Sequence, residues 1–191
     1  ISFSMEIVEE AIVRNYSPLF KLTEVSEIIE TLEKFRILCA SKVDIGGVAQ
    51  INRFAESVLI RNGSIKSPGE QWYHGRPVMV TENNYVLDLF NGDCGVILEK
   101  EGEKRGYFQS NDGTVRSFPV SMLPAVETVY AMTVHKSQGS EYDSVLVILP
   151  EKEMAVLTKE LIYTAVTRSR KDLTIIGKEE ILSTAVKRSA A

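Results

Sequence analysis

Two short stretches of this chain carry side chains that can do chemistry together. The first, AMTVHKSQGSEYDSVLVILP from Ala131 to Pro150, sets Thr133, His135, Lys136, Gln138, Gly139 and Glu141 on a polar turn ahead of an apolar run. The second, LIYTAVTRSRKDLTIIG from Leu161 to Gly177, sends a helical pattern ending at Thr167-Arg168 into another apolar run. Exposed amides at a helix start, beside a threonine hydroxyl and an imidazole, suit a backbone phosphate. Thr133 fits the N-cap of that short helix and Gly139 its end. Lys136 adds charge, Gln138 adds hydrogen bonds, and Glu141 can accept a hydrogen bond from a ribose hydroxyl. Arg168 has two readings. It can neutralise the C-terminal dipole of its own helix, or it can cross a cleft and stabilise charge on a transferring phosphoryl group. On spacing alone the plainer readings lead: a capping threonine, a surface histidine, a dipole-neutralising arginine, and Arg170 and Lys171 as solvated charges.

The elements that must position these groups are legible as patterns. Residues 5–35 have helical spacing with a break at Ser17-Pro18, and Thr23 precedes the acidic first turn of the second half. Arg36 to Ser41 reads as a buried strand and Asp44 to Gly47 as a turn. A helix from Val48 then ends at Asn62-Gly63, a left-handed C-cap pair. After Ser67-Pro68-Gly69 the texture changes to short strands at 77–80, 94–99, 107–109 and 115–118. They are separated by Asn83-Asn84, Asn91-Gly92-Asp93, Glu101-Gly102-Glu103 and Asn111-Asp112-Gly113, which are hairpin signals. From Thr128 the α/β texture returns, with strands to Met132, at 145–149 and at 173–176, and a helix from Thr158 to Arg168. The expected fold is α/β: a parallel-sheet domain with a small antiparallel β-barrel inserted. Its parts are a lead-in and first portion at 1–72, the barrel at 73–125, and the remainder at 126–191. Arg168 and Glu141 then sit on loops at one edge of the parallel sheet, where nucleotides bind such folds.

Composition excludes more than it names. The 191 residues carry a formal net charge of −4, which supplies no global attraction to nucleic acid, so any DNA contact must be local. No apolar run approaches the roughly 20 residues of a membrane span. The opening ISFSMEIVEE has no signal-peptide pattern, and a start without Met fits a segment of a longer polypeptide. Cys39 and Cys94 are expected to be free, buried thiols of a reducing compartment. No glycine-rich loop ending in Gly-Lys-Ser/Thr is present to cradle phosphates, and no His/Cys/Asp cluster has metal-ligand spacing. Trp72, Tyr73 and His74 could stack on bases, although packing is the favoured reading.

VHKSQGSEYD and YTAVTRSR resemble motifs V and VI of superfamily 1 DNA helicases, in particular the alpha-subunit type of bacterial exodeoxyribonuclease V. The similarity extends through FRILCAS, GRPVMVTENNYVLDLFNGDCGVI and LTKELIYTAVTRSR, from about Leu32 to Ile181. The resemblance implies the second RecA-like (P-loop NTPase-type) motor domain with an inserted Src-homology-3-like barrel. It also implies ATP and Mg2+, held mainly by a first RecA-like domain outside this chain. By position, Arg168 becomes the arginine finger and Glu141, with Gly139, the nucleotide side of motif V. Thr133, His135, Lys136 and Gln138 face single-stranded DNA. Where relatives usually carry an arginine in motif IV this chain has Lys42, a nucleotide-side candidate that meets phosphate as a point charge, without a fork. Implied partners are single-stranded DNA, the beta and gamma subunits of the exodeoxyribonuclease, and the chain's own N-terminal RecA-like domain, in the bacterial cytoplasm with no membrane. The resemblance further implies 5′ to 3′ movement, a role in double-strand-break repair and recombination, and a segment unable to hydrolyse ATP alone. A stand-alone helicase of the same type and a non-catalytic binding module are the competing readings. A self-contained nucleotide-processing enzyme is disfavoured by the missing phosphate loop.

Overall fold

The computed structural model describes residues 3–43, 45–110 and 112–189. The chain begins with α1 (Phe3–Tyr16), a 3-10 turn at Ser17–Phe20, α2 (Val25–Lys34), β1 (Phe35–Cys39) and α3 (Val48–Arg61). Five short strands follow: β2 (Arg76–Val80), β3 (Cys94–Lys100), β4 (Glu103–Gln109), β5 (Val115–Pro119) and β6 (Val126–Thr128). The chain closes with β7 (Ala131–Thr133), a 3-10 turn at His135–Ser137, β8 (Tyr142–Ile148), α4 (Lys159–Val166), β9 (Ser169–Ile176) and α5 (Glu179–Lys187). Two compact units result. One comprises the chain up to Ala11, Glu33–Ala55 and everything from Tyr130; the other comprises Ile12–Leu32 and Glu56–Val129.

The first unit is built on a parallel sheet in the order β7-β1-β8-β9. All five residues of β1 are buried, as expected of a central parallel strand covered on both faces. Its register defines the two ends of the sheet. Cys39 lies opposite Thr133 and Ile148, and Ile148 opposite Ile176, so these mark the carboxyl edge. Phe35 lies opposite Ser144, and Tyr142 opposite Ser169, so these mark the amino edge. This corrects one expectation. Glu141 and Arg168 immediately precede β8 and β9 and therefore sit at the amino edge, not at the carboxyl edge where open α/β sheets usually take ligands. The connection from β7 to β8 is too short to hold a full crossover helix. Its 3-10 turn starts at the carboxyl edge, and the chain must be back at the amino edge by Tyr142.

The second unit carries an antiparallel sheet in the order β5-β4-β3-β2-β6. Its hydrogen-bonded ladder is open: β5 and β6 are its ends and do not pair with each other among the described residues. Strand β6 is absent from the sequence reading, because three half-buried residues carry no alternation to read. The hairpin signals do hold. Glu101 and Gly102 both take positive φ between β3 and β4, and Asp93 accepts from Phe90 N at 2.7 Å to close the Asn91-Gly92-Asp93 turn. Asn111 and Asp44 lie outside the described residues. Val78, Val80, Leu89, Ile97 and Phe108 form the core, with Trp72 and Phe118 packed against it.

The aromatic cluster before β2 is structural. Arg76 stacks on Trp72 at 5.4 Å, buried Tyr73 donates to Glu56 Oε1 at 2.9 Å, and His74 Nδ1 accepts from Glu99 N at 3.1 Å. Burial holds His74 below the usual imidazole range, consistent with a neutral ring accepting that bond. Only half of the cysteine expectation stands. Cys39 is buried, which pushes its thiol up to about 12, but Cys94 is exposed because it opens β3 at the turn. No helix among the described residues is long and apolar enough to cross a membrane.

Candidate functional site

The amino edge brings the second polar motif onto the first. Arg168 follows the last turn of α4, where its guanidinium donates through Nε to Thr164 O at 3.1 Å and through NH2 to Thr167 Oγ1 at 3.2 Å. Its NH1 reaches across to Ser140 O at 3.0 Å, and Tyr142 N returns a hydrogen bond to Arg168 O at 2.8 Å. Three of the five guanidinium N–H donors are thus committed within the chain and two are left for an incoming anion. The bonds that dock Arg168 on its helix also fix the direction of its guanidinium.

Glu141 stands one residue from Ser140 on the same loop, exposed, with Oε2 accepting from Arg170 Nε at 3.1 Å. Lys171 repeats the arrangement one step along, donating to Asp143 Oδ2 at 2.8 Å, and that bond holds the Asp143 carboxyl below the usual carboxylate range. Arg170 and Lys171 were expected to be merely solvated. They instead lace β9 to β8 across the parallel pair, where opposite charges on neighbouring strands attract. As exposed pairs they contribute little stability.

At the carboxyl edge the structure gathers the nucleic-acid candidates. Val134 N donates to Cys39 O at 3.0 Å, tying the start of the polar turn to the end of β1. Thr133 is not the N-cap residue itself; Val134 holds that position, with helical φ/ψ. The Thr133 hydroxyl nonetheless accepts from Lys136 N at 3.3 Å, so it caps from one residue further out. Ser137, unnoticed in the sequence, is fully buried and donates to Val134 O at 2.7 Å. That bond closes the turn and leaves His135, Lys136 and Gln138 exposed. Gly139, at φ +87, reverses the chain toward Glu141.

His135 and Gln138 line an open groove of about 750 Å³ together with Met154, Val156 and Thr164. Arg188 bounds it, donating to Met154 O at 2.7 Å and Glu153 Oε2 at 3.1 Å. α4 starts beside the groove with Thr158 as a true N-cap, its hydroxyl accepting from Leu161 N at 3.3 Å. Lys42 lies just past the carboxyl end of β1, exposed, in the loop whose carbonyls at Ser41 and Lys42 accept from the first amides of α3. The six-residue advance from Tyr142 to Ile148 spans about 20 Å. The structure therefore does not bring Lys42 to the Arg168–Glu141 edge. Among the described residues no group of three or more His, Cys, Asp or Glu could hold a metal ion.

Strand β7, which delivers Thr133, is pinned by a buried side chain. Asn52 on α3 donates through Nδ2 to Ala131 O at 3.2 Å and accepts from Ala131 N at 2.8 Å through Oδ1. Asn52→Ala leaves both of those backbone groups buried without the bonds. It is expected to cost about 2–4 kcal/mol in urea unfolding of the intact chain. A loss under about 1 kcal/mol would show that β7 is held by its pairing with β1 alone.

The model for the UvrD-like helicase C-terminal domain matches residues 128–176, the stretch that runs from β6 to the end of β9. The chain is 38% identical over 162 residues to the RecBCD enzyme subunit RecD of Mycobacterium tuberculosis, covering 85% of this chain and 28% of that protein. It is 40% identical over 96 residues to the ATP-dependent RecD2 DNA helicase of Deinococcus radiodurans, covering 50% of this chain and 13% of that one. A crystal structure of Pif1 helicase from Bacteroides in complex with ADP-AlF3 and ssDNA aligns at a TM-score of 0.49 and 16% identity, over 92% of this chain and 49% of that one. That loose likeness carries no functional weight. The chain spans little more than a quarter of the length of the curated relatives it matches first. These matches support a C-terminal segment of a RecD-type helicase.

Proposed function

From a chain that matches the C-terminal part of RecD-type helicases, we propose the second RecA-like motor domain of an ATP-dependent 5′ to 3′ DNA helicase or translocase. The antiparallel unit serves as its Src-homology-3-like insertion. The single observation that carries the reading is the docking of Arg168 on Ser140 O beside Glu141, which joins the two polar motifs at one edge of the sheet. ATP fits that edge as half a site: Arg168 supplies two N–H donors for a γ-phosphate, and Glu141 keeps Oε1 for a ribose hydroxyl. When bound between two such domains, ATP supplies the free energy of the cycle. This chain's part is to present a pre-aimed cation and to exclude water from it on closure. Mg2+ and the phosphate-cradling loop belong to a first domain outside the chain, so the segment alone does not hydrolyse ATP. The parent's setting is the bacterial cytoplasm, in double-strand-break repair within an exodeoxyribonuclease V of beta and gamma subunits. A stand-alone helicase is the second reading, favoured only by the shorter RecD2 match.

The DNA side of this reading is assigned to the same polar turn. Residues 133–141 leave the carboxyl edge with His135 and Gln138 on the groove and arrive at the amino edge with Glu141 beside Arg168. One nine-residue segment therefore touches both proposed ligands, and a shift of the strand at one end moves the other. The test is single-stranded DNA binding by the full-length parent across a salt series. Lys136→Ala should weaken binding to all sequences alike and lower the slope of log K against log salt by about one. Basal ATPase without DNA should stay unchanged. An unaltered salt slope would remove this turn from the DNA path.

A further inference from the structure

Strand β9 carries one residue more than its pairing with β8 uses. Tyr142 pairs with Ser169 and Ser144 with Asp172, so Arg170 and Lys171 together face the single residue Asp143. Two residues against one is a β-bulge, a feature that next to functional sites re-aims side chains. Side chains close it. The Ser169 hydroxyl donates to Asp172 O at 2.7 Å, and the Ser144 hydroxyl donates to Asp172 Oδ2 at 3.3 Å. The consequence is directional. Consecutive residues of a regular strand leave on opposite faces, whereas Glu141 and Asp143, two apart, leave on the same one. The extra residue lets consecutive Arg170 and Lys171 both reach that face. Arg170 Nε donates to Glu141 Oε2 at 3.1 Å, and Lys171 Nζ donates to Asp143 Oδ2 at 2.8 Å.

Stability does not account for this device. Both side chains of the Arg170–Glu141 pair are more than half exposed, and such pairs contribute little to folding. What the pair fixes is Glu141. Arg170 engages one carboxylate oxygen through Nε, so Oε2 is held and Oε1 is left to a ligand. A glutamate held at its tip has less rotamer freedom to lose on binding. Building on the reading of Glu141 as the ribose acceptor, we propose that Arg170 is the positioning residue for Glu141, delivered to it by the bulge at 170–171. Acting through that carboxylate, Arg170 sets the preference of the site for ribonucleoside over deoxyribonucleoside triphosphates.

The test is steady-state ATPase of the full-length parent at saturating single-stranded DNA, with ATP, 2′-deoxy-ATP and 3′-deoxy-ATP. Wild type should lose about tenfold in kcat/KM with at least one deoxynucleotide, the worth of a hydrogen bond to a charged group. Arg170→Gln should raise KM for ATP about fivefold, as expected for freeing one long side chain. Its kcat and melting temperature should stay at the wild-type values, and the deoxynucleotide penalty should shrink to about twofold. Arg170→Lys should recover part of the penalty, because an ammonium still reaches the carboxylate. Lys171→Gln, which breaks the neighbouring pair, should change neither KM nor penalty. Glu141→Gln separates this role from the ribose reading. If wild type shows no penalty, or Glu141→Gln leaves it intact, Glu141 meets no ribose and both readings fall. If Glu141→Gln removes the penalty while Arg170→Gln keeps it, the ribose reading stands and the proposal alone is overturned. An equal loss by Arg170→Gln with all three nucleotides would also overturn it, making Arg170 a charge that faces phosphate.

Discussion

Arg168→Ala in the full-length parent is expected to lower single-stranded-DNA-stimulated ATP turnover by about 10³-fold or more while DNA binding is kept, in line with the worth of an arginine finger. The cause is where the guanidinium is held. Thr164 O, Thr167 Oγ1 and Ser140 O fix the side chain at the amino edge with two donors to spare, so removal deletes a pre-aimed charge as well as a cap. The cap has its own, smaller effect: losing these exposed or half-buried bonds costs about 1 kcal/mol of stability. Thermal unfolding followed by circular dichroism separates the two losses. Arg168→Lys should rescue little, because an ammonium cannot keep the fork that spans Thr164 and Ser140 and still point at a phosphate. Turnover within tenfold of wild type, with folding intact, would reduce Arg168 to a helix cap. The binding-module reading would then lead.

Gly95→Ala should be strongly destabilising for a single added methyl. Gly95 faces Phe108 across the β3–β4 pair, and a Cβ there would meet Tyr107 O at 2.4 Å and the Phe108 ring at 2.6 Å. The first contact is backbone in a paired strand, and the second is a fully buried ring at the centre of the core, so neither can move without breaking the ladder or the packing. A cost of about 3 kcal/mol or more is expected for the antiparallel unit, at the upper end for overpacking. Gly102→Ala is the control. Gly102 has φ +80 but nothing within 4 Å of its Cβ position, so only the backbone penalty of about 1 kcal/mol applies. Calorimetry of both variants decides the matter. A Gly95→Ala transition shifted no further than that of Gly102→Ala would mean that β3 and β4 separate more easily than their pairing suggests.

The elements themselves were legible because each is written in local chemistry. β1 reads from the apolar run Ile37-Leu38-Cys39-Ala40, α3 from its spacing and the Asn62-Gly63 cap, and the β3–β4 hairpin from Glu101-Gly102. What could not be read locally was short, or was decided at a distance. β6 has three half-buried residues and becomes a strand only because β2 offers an edge to pair with. Ser137 gives no signal in the sequence and is fully buried, since only the folded turn supplies the Val134 carbonyl that satisfies it. Arg170 and Lys171 read as solvated charges, and their partners Glu141 and Asp143 appear only when β9 lies beside β8.

For the site the division is sharper. The sequence by itself determined the residue types: a threonine-to-glutamate polar turn, and an arginine at a helix end ahead of a strand. It also determined the likeness to helicase motifs V and VI, because side-chain chemistry and spacing are properties of the chain. Only the tertiary structure decided which of these residues share an edge. Parallel register places Thr133 at the carboxyl end of β7 and Lys42 beyond that of β1. It places Glu141 and Arg168 before the amino ends of β8 and β9, a strand length away. The acceptor that aims Arg168 is the carbonyl of Ser140, a backbone atom that every residue type carries, so no choice of side chain could have announced it.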